Sequence, residues 1–209
     1  MRVDLSAERF PQAFVDAYWA CRKCFSDKAW RGVWESPELW NRFMMWNPPP
    51  PQKKPVFKLT AETIGLAHWD RQPFNFDGAF LVRPYHVIGN IPVPIAAVFE
   101  HELDIETFRE EIVKLAYIRC PFKIGITYTI PKRNAIEWEA QIVEWTDSLL
   151  QTLQPYTLED KGTRYVLLLG VEKPALELSW WALSFSTKSG PTRASWKELR
   201  PAGHTHTKG

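Results

Sequence analysis

The chain has 209 residues, 45% of them apolar, with 11 tryptophans and a net charge of +2. That length fits one medium domain with an elaboration, and the aromatic content is enough for a substantial core. No apolar run reaches the eighteen residues a membrane span needs, and the acidic, broken start "MRVDLSAERFPQAF" is not a secretion signal.

Charge is unevenly spread. Residues 1–58 carry ten Lys/Arg against six Asp/Glu, residues 59–160 eight against fifteen, and residues 161–209 eight against three. An acidic middle between basic ends is either ordinary surface variation or a metal-binding centre flanked by segments that touch a polyanion. Three cysteines cannot build a disulfide framework, and an odd number fits reduced thiols in a cytoplasm. Cys21 and Cys24 have half the spacing of a zinc site; with no second pair, two packed thiols on a helix face are the alternative.

Residues 6–46 read as helical, with Phe10, Phe14, Ala17, Tyr18 and Cys21 on one face and Ser36-Pro37 as a helix start. Five tryptophans (Trp19, Trp30, Trp34, Trp40, Trp46) lie there, suited to a core or to a protein interface. The prolines of "NPPPPQKKP", residues 47–55, make a connector between this N-terminal helical arm and a core domain expected over 56–188.

Within that core, "TAETIGLAHWD" reads as a short helix capped by Thr60. Strands follow over Phe74–Pro84 and from Ile95 to Glu102, joined through a Gly89-Asn90 turn. "DIETFREEIVKLAYI" is an amphipathic helix with Asp104 as cap and Ile105, Phe108, Ile112, Leu115 and Ala116 as its apolar stripe. "FKIGITYTI" is a strand, "AIEWEAQIVEWTDSLLQTLQ" a helix, and "RYVLLLGVE" and "LELSWWALSFS" two further strands. Residues 189–209 read as a loose tail, in which His204 and His206 either grip stray metal or simply belong to a flexible terminus. The strand–helix–strand unit from Ile95 to Ile130 implies a parallel pair, and the closely joined strands before it an antiparallel meander. The expected fold class is therefore α/β, a mixed central sheet flanked by helices.

Side chains alternate faces along a strand, so Glu100 and Glu102 should point the same way, roughly 6–7 Å apart. Two ionised carboxylates at that distance repel by about 2–3 kcal/mol at an effective dielectric near 20. A cation between them, protonation of one, or solvent at a strand end would relieve the repulsion. Asp77, in "FNFDGAF", interrupts an apolar strand beside a glycine. Alone it reads as a turn; on a strand antiparallel to Ile95–Glu102 it comes level with the two glutamates. All-oxygen ligands of this kind favour Mg²⁺ or Mn²⁺ over zinc.

Asp77 followed twenty-three residues later by Glu100-His101-Glu102, on the second and third strands of an αβββαβ core, resembles the PD-(D/E)xK nuclease superfamily. The resemblance covers residues 56–130. It implies a restriction-endonuclease-like fold and a Mg²⁺-dependent DNA endonuclease in which Mn²⁺ substitutes. Asp77, Glu100 and Glu102 would be catalytic metal ligands, with Glu62 on the preceding helix as a further acid. The family's strand lysine is replaced here by Glu102, a variant some restriction enzymes carry. Lys114 is the candidate substitute, Lys123 a second, although Lys114 also reads as a plain helix pair with Glu111. Lys53, Lys54, Lys132 and Arg133 would hold phosphates or simply aid solubility. Expected partners are DNA and a second copy of the chain or another protein subunit. A catalytically inactive nuclease-fold binder or assembly subunit is the alternative that the missing lysine favours. No motif of an unrelated hydrolase is present.

Overall fold

The computed structural model describes residues 6, 8–69, 76–88, 91–129, 135–157, 163–173, 176–186 and 196–202. Among these, six helices and seven strands follow one another as α1 (Arg9–Arg22), α2 (Asp27–Glu35), α3 (Pro37–Met44), α4 (Val56–Thr63), β1 (Ala67–Trp69), β2 (Gly78–Ile88), β3 (Ile91–His101), α5 (Phe108–Ala116), β4 (Phe122–Thr129), α6 (Ala135–Thr157), β5 (Arg164–Lys173), β6 (Glu177–Ser186) and β7 (Lys197–Leu199). The strands form one mixed sheet in chain order. β3, β4 and β5 are parallel, because α5 and α6 supply the crossovers, and every other neighbouring pair is antiparallel.

Period-two alternation sends successive strand residues to two separate cores. Ala79, Leu81, Val98, Tyr165 and Leu167 meet Phe108, Ile112 and Leu115 of α5 and Leu149 and Leu153 of α6. Phe80, Phe99, Phe122, Ile124 and Trp180 meet Phe10, Phe14, Tyr18, Phe43 and Phe57 from the N-terminal helices. The expected helical arm is thus one layer of the molecule, with Phe10 5.5 Å from Phe80 and Phe14 4.8 Å from Trp180 between ring centroids. Trp30 and Trp40 are buried in that layer, Trp19 and Trp34 pack against it, and Trp46 is exposed.

Several boundaries differ from the expectation. Helix α4 begins at Val56, so Thr60 is internal and its hydroxyl donates to the Val56 carbonyl. Gly65, at φ 79°, ends that stretch, and Ala67–Trp69, read as helix, forms β1 instead. β2 extends to Ile88, and the Gly89-Asn90 turn lies outside the described residues. Asp104 organises a turn before α5, its Oδ1 accepting from the Glu106 N–H at 2.9 Å, and the helix starts at Phe108. The C-terminal stretch read as loose contains β7, which pairs with β6, while Trp196 Nε1 donates to Thr146 Oγ1 at 2.8 Å. His204 and His206 lie outside the described residues. Among the described residues no helix is long and apolar enough to cross a membrane.

Candidate functional site

β2 and β3 pair antiparallel with Gly78 opposite Phe99, which sets Asp77, just before β2, level with Glu100. The two acids are interlocked. Asp77 N–H donates to Glu100 Oε2 at 3.4 Å, and Asp77 Oδ2 accepts from the His101 N–H at 2.8 Å. Glu100 is 2% exposed, and its second oxygen, Oε1, is buried without a hydrogen-bond partner.

Helix α5 roofs this pair. Its close approach depends on Gly125, the residue that pairs with Glu100 on β4. A Cβ there would stand 2.2 Å from Ile112 Cδ1 and 2.5 Å from Phe108 Cζ. With Phe108, Ile112 and Leu115 facing the sheet, Arg109 lies on the flank toward α6, where it donates to Ser148 Oγ at 2.7 Å. Glu111 and Lys114 project from the opposite flank, by helical geometry, and their ion pair closes at 2.5 Å.

The electrostatics follow the same grouping. Burial raises the Asp77 carboxyl above the usual range, against hydrogen bonds from the His101 N–H and the Glu100 carboxyl, and the charges of Glu111 and Glu102 push it up further. Burial also raises Glu100, to about 9, helped by the negative charges of Asp77 and Glu111 and opposed by Lys114. Lys114 itself is raised, first by its bond to Glu111 and less by Glu100 and Asp77. Two carboxylates, a third acid and one ammonium therefore share a single field. Glu111 is the member that sequence reading treated only as a helix partner; its place beside the apolar stripe was the available signal.

The remaining candidates are distributed differently. Glu102 lies just past β3, where its N–H donates to Ile126 O and its Oε1 accepts from the Asp104 N–H at 3.1 Å. It contributes charge at Asp77 but is engaged in the local turn. Glu62 is not brought to the group: it pairs with Lys54 at 2.6 Å on α4, whose Phe57 packs on Phe99, the opposite face of the sheet from Glu100. Lys123 is buried on β4, its Nζ donating to Ala116 O and Tyr165 Oη, both at 3.3 Å. Lys132 and Arg133 lie outside the described residues.

Cys21 is buried with its thiol on the Lys54 carbonyl, and Cys24 is exposed with its thiol on the Ala20 carbonyl. Among the described residues no three His, Cys, Asp or Glu side chains form a ready-made metal-binding group.

The chain matches no family model and no curated protein.

His101 points to the far side. Its ring is buried, Nε2 lies 2.7 Å from Tyr128 Oη, and burial lowers its pKa to about 3, so the imidazole is neutral. It acts on the acidic pair only through its backbone N–H.

Proposed function

We propose that this chain is a divalent-metal-dependent phosphodiesterase that cuts DNA, built on a restriction-endonuclease-like core. The observation that carries the reading is Glu100 Oε1, a buried and unpartnered carboxylate oxygen beside a second buried carboxylate. An unmet buried acceptor costs about 1–3 kcal/mol, and more when charged. Without an ion Glu100 holds a proton at neutral pH, which relieves the repulsion from Asp77; a bound cation would displace that proton and satisfy Oε1.

The succession α4-β1-β2-β3-α5-β4 follows the αβββαβ order, with Asp77 and Glu100 at the second and third of those strands. Mg²⁺ keeps several waters and needs only one or two carboxylates besides substrate phosphate, which fits two protein ligands; Mn²⁺ would substitute. Asp77 and Glu100 would hold the ion. When bound, it supplies Lewis-acid stabilisation of the phosphate and an activated water for attack.

The chain's own residues do the rest. The His101 N–H orients Asp77, and the Asp77 N–H orients Glu100. Lys114, held by Glu111, stands where its ammonium can neutralise charge building on the phosphate oxygens. Glu102 adds negative charge and steadies the turn after β3. Free cysteines accord with a reducing, cytoplasmic setting.

A second reading, a nuclease-fold binder without catalysis, is favoured by two observations: an acid at the family's lysine position and no three-residue metal group among the described residues. The test is cleavage of supercoiled plasmid and single-stranded DNA with Mg²⁺, Mn²⁺ or EDTA. Metal-dependent cutting that Asp77→Ala and Glu100→Ala both abolish is the expected result. A folded wild type that neither cuts DNA nor binds Mn²⁺ by calorimetry sinks the catalytic reading and leaves the binder.

A further inference from the structure

Lys123 is wholly buried on β4, so its ammonium does not meet a phosphate, and none of the chemistry proposed above uses it. Burying an ammonium is costly unless it is well paired, and its partners therefore point to its task. Its Nζ donates to the carbonyl of Ala116, the last residue of α5, and to Tyr165 Oη, both at 3.3 Å. The ammonium also lies 5.2 Å from the centroid of the Tyr165 ring. We propose that Lys123 is a positioning residue: it ties the end of α5 to the sheet and so holds Lys114 in its place beside the acidic pair.

The sheet register puts the tie where it is needed. Val98, Lys123, Tyr165 and Phe185 form one row across β3 to β6. Glu100, Gly125, Leu167 and Leu183 form the next row on the same face, two residues along each strand. Such rows stand roughly 6.6 Å apart, and one turn of helix, four residues, rises about 6 Å. Helix α5 therefore lays Ile112 on Gly125 and Ala116 on Lys123, one turn further along. Lys114 sits between these two contacts. The contact at Gly125 is apolar and non-directional: it sets the height of the helix but lets it rock. The bond to the Ala116 carbonyl is directional and is lost with a small displacement, so it fixes the far end.

The helix end calls for such a partner. The carbonyls of Lys114 and Leu115 accept from the N–H groups of Tyr117 and Ile118 at 3.2 and 3.3 Å, while that of Ala116 takes the ammonium. A cation there also meets the negative end of the helix dipole. Tyr165 is braced in turn, its ring stacked on Phe185 at 4.9 Å between centroids with the planes 2° apart. Side chains thus link β6, β5 and β4 to the end of α5 in one line.

Where it concerns turnover, this role rests on the nuclease reading above; where it concerns the helix, it does not. Lys123→Met keeps the length of the side chain and removes the donor. Amide hydrogen exchange of the full chain in EDTA, without DNA, should then run at least about tenfold faster over residues 114–118, with a smaller change at Val166, Leu167 and Leu168 of β5. In DNA cleavage, kcat should fall roughly tenfold with KM within about twofold of wild type. The double variant with Lys114→Ala should cut no more slowly than Lys114→Ala alone, because the tie acts through Lys114. Tyr165→Phe, which removes one oxygen from the ammonium and keeps the ring, should give the same exchange pattern at smaller amplitude, and it decides the matter should Lys123→Met not fold. Residues 114–118 that speed up no more than β5, or a loss of turnover that adds in full to that of Lys114→Ala, overturns the proposal and leaves Lys123 a core residue. A wild type that does not cut DNA sinks the nuclease reading alone, and the exchange pattern then supports or overturns the tie by itself.

Discussion

Glu100 imposes a cost on the folded protein that depends on pH. An unfolded glutamate releases its proton near 4.5, whereas burial and the Asp77 charge raise Glu100 to about 9. Between those values the folded state holds a proton that the unfolded chain has lost, so stability falls as pH rises through the window. Asp77, also raised, adds to the same slope. Glu100→Gln should flatten the dependence and raise the melting temperature at about pH 8 in EDTA. Mn²⁺ should raise the wild-type melting temperature there and leave the variant unmoved. A wild type equally stable at both ends of the window would mean that Glu100 is solvated. Lys114→Ala, at an exposed position, should cost less than about 0.5 kcal/mol of stability. It should nonetheless lower the turnover of DNA cleavage roughly a hundredfold, the effect of losing one electrostatic donor. Unchanged turnover would reduce Lys114 to the helix partner of Glu111.

Helix α5 is the element that assembles the group, and its position rests on one small residue. Gly125→Val would drive a side chain into Ile112 and Phe108, lifting the helix from β4 and carrying Glu111 and Lys114 away from Glu100. Urea unfolding should give a loss of about 1–3 kcal/mol, the usual cost of overpacking. DNA cleavage should fall by more than that loss explains, because a misplacement of about 1 Å costs on the order of a hundredfold in rate. Full activity in Gly125→Val would separate α5 from the chemistry. The helix stripe was plain in the sequence, but its flanks were not assigned: with Phe108, Ile112 and Leu115 on the sheet, Arg109 falls on the side of Ser148 and Glu111 on the side whose charge reaches the acidic pair.

The molecule as a whole is a sheet covered on both faces, and neither cover is optional. Removing residues 1–46 would take Phe10 off Phe80 and Phe122, and Phe14 and Tyr18 off Trp180, leaving only α4 on that face and an apolar patch beyond what a soluble surface tolerates. That truncation is expected to aggregate or to lose cooperative unfolding, as sedimentation and thermal melts would read. A soluble, cooperatively folded 47–209 fragment would show that the helices are an accessory after all. At the other end, cutting the chain before Trp196 removes β7, the Trp196–Thr146 bond and the tie from the Ala202 N–H to Asp16 Oδ1. Loss of these few hydrogen bonds and their packing should cost roughly 2–4 kcal/mol by urea unfolding.

Local pattern alone determined most of the elements. Period-two and 3.6-residue repeats identified the main strands and helices, and the crossover rule made β3 and β4 parallel. Asp77 and Glu100 were legible because charge interrupting an apolar strand is costly enough to stand out. What tertiary packing alone decided is which of the other charges join them. Glu62 pairs with Lys54 on the opposite face of the sheet, Glu102 turns to the Asp104 N–H, and the charge of Glu111 reaches the pair. The three-residue strands β1 and β7 are too short for periodicity and exist because β2 and β6 offer them open edges. Periodicity reports a residue's face on its own element; the meeting of side chains far apart in sequence is set by how elements pack.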